Sequence, residues 1–120
     1  MLSEPVNVDP AALQYVRYGL EEATHASFGT GVGVFGNFPI DIAGKTGSAE
    51  KIVPLPGYPN PPKLTQSWFC GYGPAPAPTI VVCAVIENGG HGGTAAAPAA
   101  LQVFEKYFNK KATTTVHASD

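Results

Sequence analysis

Four consecutive residues, Lys45-Thr46-Gly47-Ser48, bring together a cation, two hydroxyls and a position without a side chain. On the edge of a strand lining a cleft, this run can neutralise an anion through Lys45 and donate hydroxyl hydrogen bonds from Thr46 and Ser48, while Gly47 admits a ligand close to the backbone. Ser48 also opens a literal S-x-x-K run, Ser48-Ala49-Glu50-Lys51. A serine nucleophile of that kind belongs at the start of a buried helix, which Ile52-Val53-Pro54 cannot provide, so Ser48 is not read as the nucleophile. Two phosphate-binding patterns fail on context. Gly31 to Gly36 (GVGVFG) matches G-x-G-x-x-G, but a helix precedes it and Phe38-Pro39 follows, whereas the dinucleotide turn follows a strand and opens a helix. Ala43 to Ser48 (AGKTGS) ends like a phosphate loop, yet Pro39 stands where that loop needs its first glycine. His25, His91 and His117 fall on three segments with no i,i+4 partner or neighbouring cysteine pair, so they read as loop or solvent histidines and no metal site or cofactor is implied. His91, inside the run ENGGHGG, is the one placed to approach a ligand cleft.

These residues must be held by a single small domain. The chain has 120 residues and a net charge of −2. Lysine and arginine total 7, and their one cluster is Lys106, Lys110 and Lys111, which gives no electrostatic footprint for nucleic acid. Glycine (14) and proline (12) are too frequent for a helical bundle. No apolar run reaches a bilayer-spanning length and the N-terminus has no signal-peptide pattern, so the chain as written is expected to be soluble.

Asp9-Pro10 is a helix start, an acidic N-cap before a proline whose missing N–H costs nothing in the first turn. Leu13, Val16 and Leu20 then form one apolar stripe that fades by Gly29. Gly29 to Gly36 reads as glycine punctuation, and Phe38 to Gly47 as a strand with Ile40 and Ile42 on one face. Val53 to Lys63, with five prolines, is a surface loop. Ser67–Gly73 and Thr79–Glu87 are strands joined by PAPAP, a length that suits antiparallel neighbours. The second is apolar throughout and is expected to be a central strand covered on both faces. Trp68 and Phe69 read as core residues. A last helix runs from Ala95 or Pro98 to Asn109, its core stripe Leu101, Phe104 and Phe108. Residues 1–111 are thus expected to form the folded unit and 112–120 a disordered tail. The order α-β-β-β-α is an α+β arrangement around a small antiparallel sheet of about three strands. Such a central strand needs more cover than two helices offer. Cys70 and Cys83, symmetric about PAPAP, leave two readings open, a cross-strand disulfide and two buried free thiols; the second is preferred because one sequence does not fix the register.

Several segments resemble, in order and spacing, the later part of the transpeptidase domain of class B penicillin-binding proteins: IAGKTGSAE (Ile42–Glu50), SWFCGYGPAP (Ser67–Pro76), IVVCAVIENGG (Ile80–Gly90) and GGTAAAPAALQVFEKYF (Gly92–Phe108). VDPAALQYVRYGLEEAT (Val8–Thr24) is similar to the helix before the K-T-G strand in elongation-type members. The resemblance implies a penicillin-binding/β-lactamase-like fold and a D,D-transpeptidase that cross-links stem peptides through an acyl-serine. Lys45 would then join the proton network of the active site, Thr46 and Ser48 would hold a carboxylate, and the Ser48 backbone N–H would be one oxyanion donor. The family's nucleophile motif is missing: Ser3, Ser27 and Ser67 have no lysine three residues on, Ser119 has no third residue after it, and no S-x-N is present. The chain is therefore expected to be an inactive piece whose partners are the missing earlier part of its domain, the D-Ala-D-Ala stem peptide, β-lactams and cell-wall elongation or division proteins. The whole protein would work on the extracytoplasmic face of the membrane, a compartment that permits a disulfide. A non-catalytic binding module and a serine β-lactamase fragment are the alternatives.

Overall fold

The computed structural model describes residues 2–113, so His117 and residues 114–120 of the expected tail lie outside the described residues. Helix α1 spans Pro10–His25, and the Asp9 carboxylate accepts the Ala12 N–H at 3.3 Å. Its apolar stripe does not enter a core, because Leu13 and Val16 are exposed and Leu20 is half-buried. The buried residue of α1 is Thr24, whose Oγ1 donates to the Ile42 carbonyl at 2.6 Å and ties the helix end to the segment that enters the sheet.

The glycine run, read as punctuation, contains a one-turn helix α2, Val32–Phe35. One turn is too short to show a helical period, and its place is secured by packing, since Val34 and Phe35 are buried.

Three antiparallel strands follow: β1 Ala43–Ile52, β2 Lys63–Gly73 and β3 Ile80–Ile86, in the order β1-β2-β3. The K-T-G strand therefore starts later and runs further than expected, with Phe38–Ile42 leading into it. The position of β3 overturns an expectation, since β2 is central and β3 lies at an edge. Val82 is buried against the helices, but Val81 is 71% exposed and Val85 45% exposed on the opposite face. An apolar strand shows which faces avoid water without showing what covers them. Trp68 shares that open face and is 40% exposed, so only Phe69 of the pair is a core residue.

Helix α3, Ala96–Phe108, lies on the covered face and buries Ala97, Ala100, Leu101 and Phe104. Asn109 ends it in the left-handed conformation, φ 53°. The core is organised by aromatic rings: Phe35 stacks on Phe69 with centroids 4.8 Å apart, and Phe104 meets Phe35 edge-on at 6.1 Å. Phe69 has room because Gly71 lies beside it, where an added Cβ would stand 2.7 Å from the ring. The boundary expected after Lys111 falls inside bonded chain, for the Ala112 N–H donates to Glu105 Oε1 at 3.1 Å and the Thr113 N–H to the Asn37 carbonyl at 3.3 Å.

Cys70 and Cys83 are directly opposed in the register and form a disulfide with Cα atoms 4.1 Å apart. Both cysteines are exposed, which corrects the preferred reading of two buried thiols. The deciding fact is register, fixed by the burial of Phe69 and Val82 on the other face.

Candidate functional site

Lys45, Thr46, Gly47 and Ser48 lie consecutively on β1, which among the described residues pairs with β2 on one side only and so presents a free backbone edge. Strand alternation sends Lys45 to the open face with the disulfide, and Thr46 and Ser48 to the face covered by the helices and by the loop that follows β3. Across the sheet the register runs Lys45–Cys70–Cys83 and Ser48–Ser67–Ile86.

Each polar side chain of the run has a partner. The Lys45 ammonium donates to the Thr46 carbonyl at 2.8 Å. Thr46 is almost buried, and its Oγ1 lies 2.6 Å from Thr30 Oγ1. Thr30 sits two residues before α2, so the short helix anchored by Phe35 also positions a hydroxyl against the K-T-G strand. Ser48 Oγ accepts the Gly92 N–H at 3.3 Å and lies 3.4 Å from His91 Nδ1.

The loop carrying His91 and Gly92 is fixed to the sheet by a buried serine. Ser67 Oγ donates to the His91 carbonyl at 2.9 Å and accepts the Ala96 N–H at 2.9 Å, which satisfies one of the orphan donors at the start of α3. Thr94 Oγ1 adds a second donor to the His91 carbonyl at 2.7 Å. Gly92 presses on the backbone of both strands: a Cβ there would meet the Trp68 carbonyl oxygen and stand 2.6 Å from the Gly47 carbonyl oxygen. No other residue type fits at that contact.

The arrangement thus offers a strand edge with unpaired backbone groups, a cation, and two hydroxyls held from behind, a set suited to an extended ligand ending in a carboxylate. Among the described residues no group of His, Cys, Asp and Glu is placed to hold a metal ion. A surface groove between α1 and Ala75-Pro76 includes none of residues 45–48. The four residues singled out from sequence therefore fall together, because they are contiguous. Thr30, Ser67 and Gly92 were not legible as site residues, and His91 was recognised only as a loop histidine near a cleft. Their contacts span 16 to 44 residues of sequence and depend on where two glycine-rich loops land.

Residues 4–105 match the family described as penicillin binding protein transpeptidase domain. The chain is 32% identical over 108 residues to the peptidoglycan D,D-transpeptidase MrdA of Haemophilus influenzae, covering 84% of this chain and 16% of that protein. It is 26% identical to MrdA of Salmonella typhimurium, over 89% of this chain and 18% of that one. Among solved structures, Pseudomonas aeruginosa PBP2 in complex with WCK 5153 superimposes with a TM-score of 0.72 at 29% identity, covering 97% of this chain and 24% of that chain. The transpeptidase domain of Burkholderia pseudomallei penicillin-binding protein 3 superimposes with a TM-score of 0.59 at 26% identity, over 89% and 33% of the two chains. The chain spans under a fifth of the length of the curated relatives it matches.

Proposed function

Since the chain belongs to the penicillin-binding protein transpeptidase domain family, we propose that it supplies the K-T-G substrate strand of a class B, elongation-type peptidoglycan D,D-transpeptidase. The observation that carries this reading is the free edge of β1, which presents Lys45, Thr46 and Ser48 in order, with the Thr46 hydroxyl braced by Thr30 and the Ser48 hydroxyl by the Gly92 N–H. In the assembled enzyme an acyl-donor stem peptide ending in D-Ala-D-Ala lies along this edge. Thr46 and Ser48 hold its terminal carboxylate, and the Lys45 ammonium neutralises charge there and joins the proton network. The Ser48 backbone N–H is one of two donors to the oxyanion formed when a serine attacks the peptide carbonyl; such a donor contributes about 3 kcal/mol at the transition state. The Lys45 contact supports this assignment. The Lys45 ammonium donates to the Thr46 carbonyl at 2.8 Å, so the cation sits against the backbone of the same four-residue run that carries the Ser48 N–H.

The nucleophile comes from outside these 120 residues, so the chain by itself forms no acyl-enzyme. β-Lactams occupy the same strand edge in the assembled domain, which works on the extracytoplasmic face of the membrane beside the cell-wall elongation or division proteins. Incubation with a fluorescent penicillin followed by a denaturing gel tests the reading. The isolated chain stays unlabelled, and addition of the complementary part of a transpeptidase domain produces a labelled band on that part. A covalent band on the 120-residue chain, or no labelling of the recombined domain, contradicts it.

A further inference from the structure

The loop after β3 brings to the site one titratable side chain that the K-T-G pattern does not contain. His91 Nδ1 lies 3.4 Å from Ser48 Oγ, and the adjacent Gly92 N–H donates to the same oxygen at 3.3 Å. The imidazole is carried there by a fixed backbone, because the His91 carbonyl accepts from Ser67 Oγ at 2.9 Å and Thr94 Oγ1 at 2.7 Å. Gly92 meanwhile sits on Gly47 and Trp68 without room for a side chain.

A serine hydroxyl has one proton to donate and two lone pairs to accept with. The Gly92 N–H occupies one lone pair, so Nδ1 decides the rest. A bare Nδ1 accepts the Ser48 proton and leaves the hydroxyl nothing to give a ligand. An Nδ1–H donates to Ser48 Oγ and frees the serine proton to point outward. Building on the transpeptidase reading above, we propose that His91 is a positioning residue for Ser48. A proton at its Nδ1 turns the Ser48 hydroxyl into a donor for the incoming carboxylate, which couples carboxylate binding to proton occupancy of His91.

The charged groups around this contact are otherwise engaged. On the Ser48 face, Glu50 of β1 and Lys63 of β2 pair with each other at 3.2 Å, and the first turn of α3 has no acidic residue. Glu87, at the start of the loop, is held by Gln66 at 2.7 Å and Lys51 at 3.9 Å, and with Lys45 it belongs to the opposite face. The cationic ring carries a proton on both nitrogens, whereas the neutral ring with its one proton on Nε2 leaves Nδ1 bare, so the coupling is read as a pH dependence.

Two measurements test the proposal. In the 120-residue chain, histidine ¹⁵N spectra, with His91 assigned through His91→Gln, should show the Nδ1 resonance of His91 moving in Ser48→Ala and recovering in Ser48→Thr, which keeps a hydroxyl. A resonance indifferent to Ser48→Ala overturns the contact. In the recombined transpeptidase domain, acylation by benzylpenicillin and by its methyl ester is followed from about pH 5.5 to 8.5. His91→Ala should lose about fivefold against the carboxylate probe at the acidic end, the size of one hydrogen bond, and stay within about twofold against the ester. His91→Gln, whose amide N–H donates, should recover the rate without the pH dependence. Equal losses against both probes, or an unchanged pH profile, overturn the proposal. A wild-type domain that takes neither probe overturns the transpeptidase reading instead, and the histidine spectrum then decides the contact on its own.

Discussion

Ser67 is a polar residue with no access to solvent, and its hydroxyl joins the first turn of α3 to the carbonyl of His91. Ser67→Ala leaves a buried N–H without its acceptor and takes a donor from the His91 carbonyl, so it should lower unfolding stability by about 1–3 kcal/mol in urea titration. An unchanged midpoint would show that water replaces the hydroxyl. Tyr72 presents the reverse case. Its hydroxyl is buried and has no hydrogen-bond partner among the described residues. Burial first of all holds its pKa above the ordinary 10.0, with Arg17 lowering it and Glu21 raising it. The unfolded chain therefore releases this proton first, so the contribution of Tyr72 to stability is complete below pH 10.0 and fades as pH rises towards the folded value. Tyr72→Phe should hold or raise stability at neutral pH and reduce the loss in alkali, as followed by circular dichroism. At this scale the sequence was most informative where chemistry is contiguous. Lys45 to Ser48 need only a strand to act together, whereas the Thr30–Thr46 and Ser48–His91 contacts need the whole fold.

The strands and helices were legible for the same local reasons that form them. Asp9-Pro10 starts α1, Pro98 is accepted in the first turn of α3, and the prolines between Val53 and Lys63 keep β1 and β2 apart until their register begins. The misread elements are those whose state depends on neighbours. The apolar residues of α1 and β3 are real, but the described residues leave Val16 and Val81 uncovered. The loop from Glu87 to Ala95 is held on the sheet at Ser48 and Ser67. Gly92→Ala should lift that loop from β1 and β2, breaking the Ser48 contact. Amide exchange at Gly92 and Ala96 should then accelerate while the core amides of Phe69 and Val82 stay protected. Uniform acceleration would mean that the loop and sheet unfold as one unit. The disulfide acts on the β2–β3 hairpin, where a closure between residues 13 apart contributes about 3 kcal/mol in the chain-entropy account. Reduction should lower the melting temperature without changing the far-ultraviolet spectrum of the folded state.

At the scale of the whole molecule, the sheet face bearing Trp68, Val81 and Val85 stays open to solvent. The low charged fraction, 13%, agrees with a surface only partly meant for water. Val81→Thr with Val85→Thr keeps β-branched residues on β3 and should reduce concentration-dependent association in sedimentation velocity while leaving the melting temperature nearly unchanged. Association equal to that of the parent chain would place the adhesive surface elsewhere. The Cys70–Cys83 bond also alters how the chain responds to force. Pulled from its two ends, the polypeptide unravels around the bond and transmits tension across it, so the segment between the cysteines, which stand 13 positions apart, bears no load. An optical-trap extension curve should stop short by roughly 40 Å and gain that length in one step once a reductant is added.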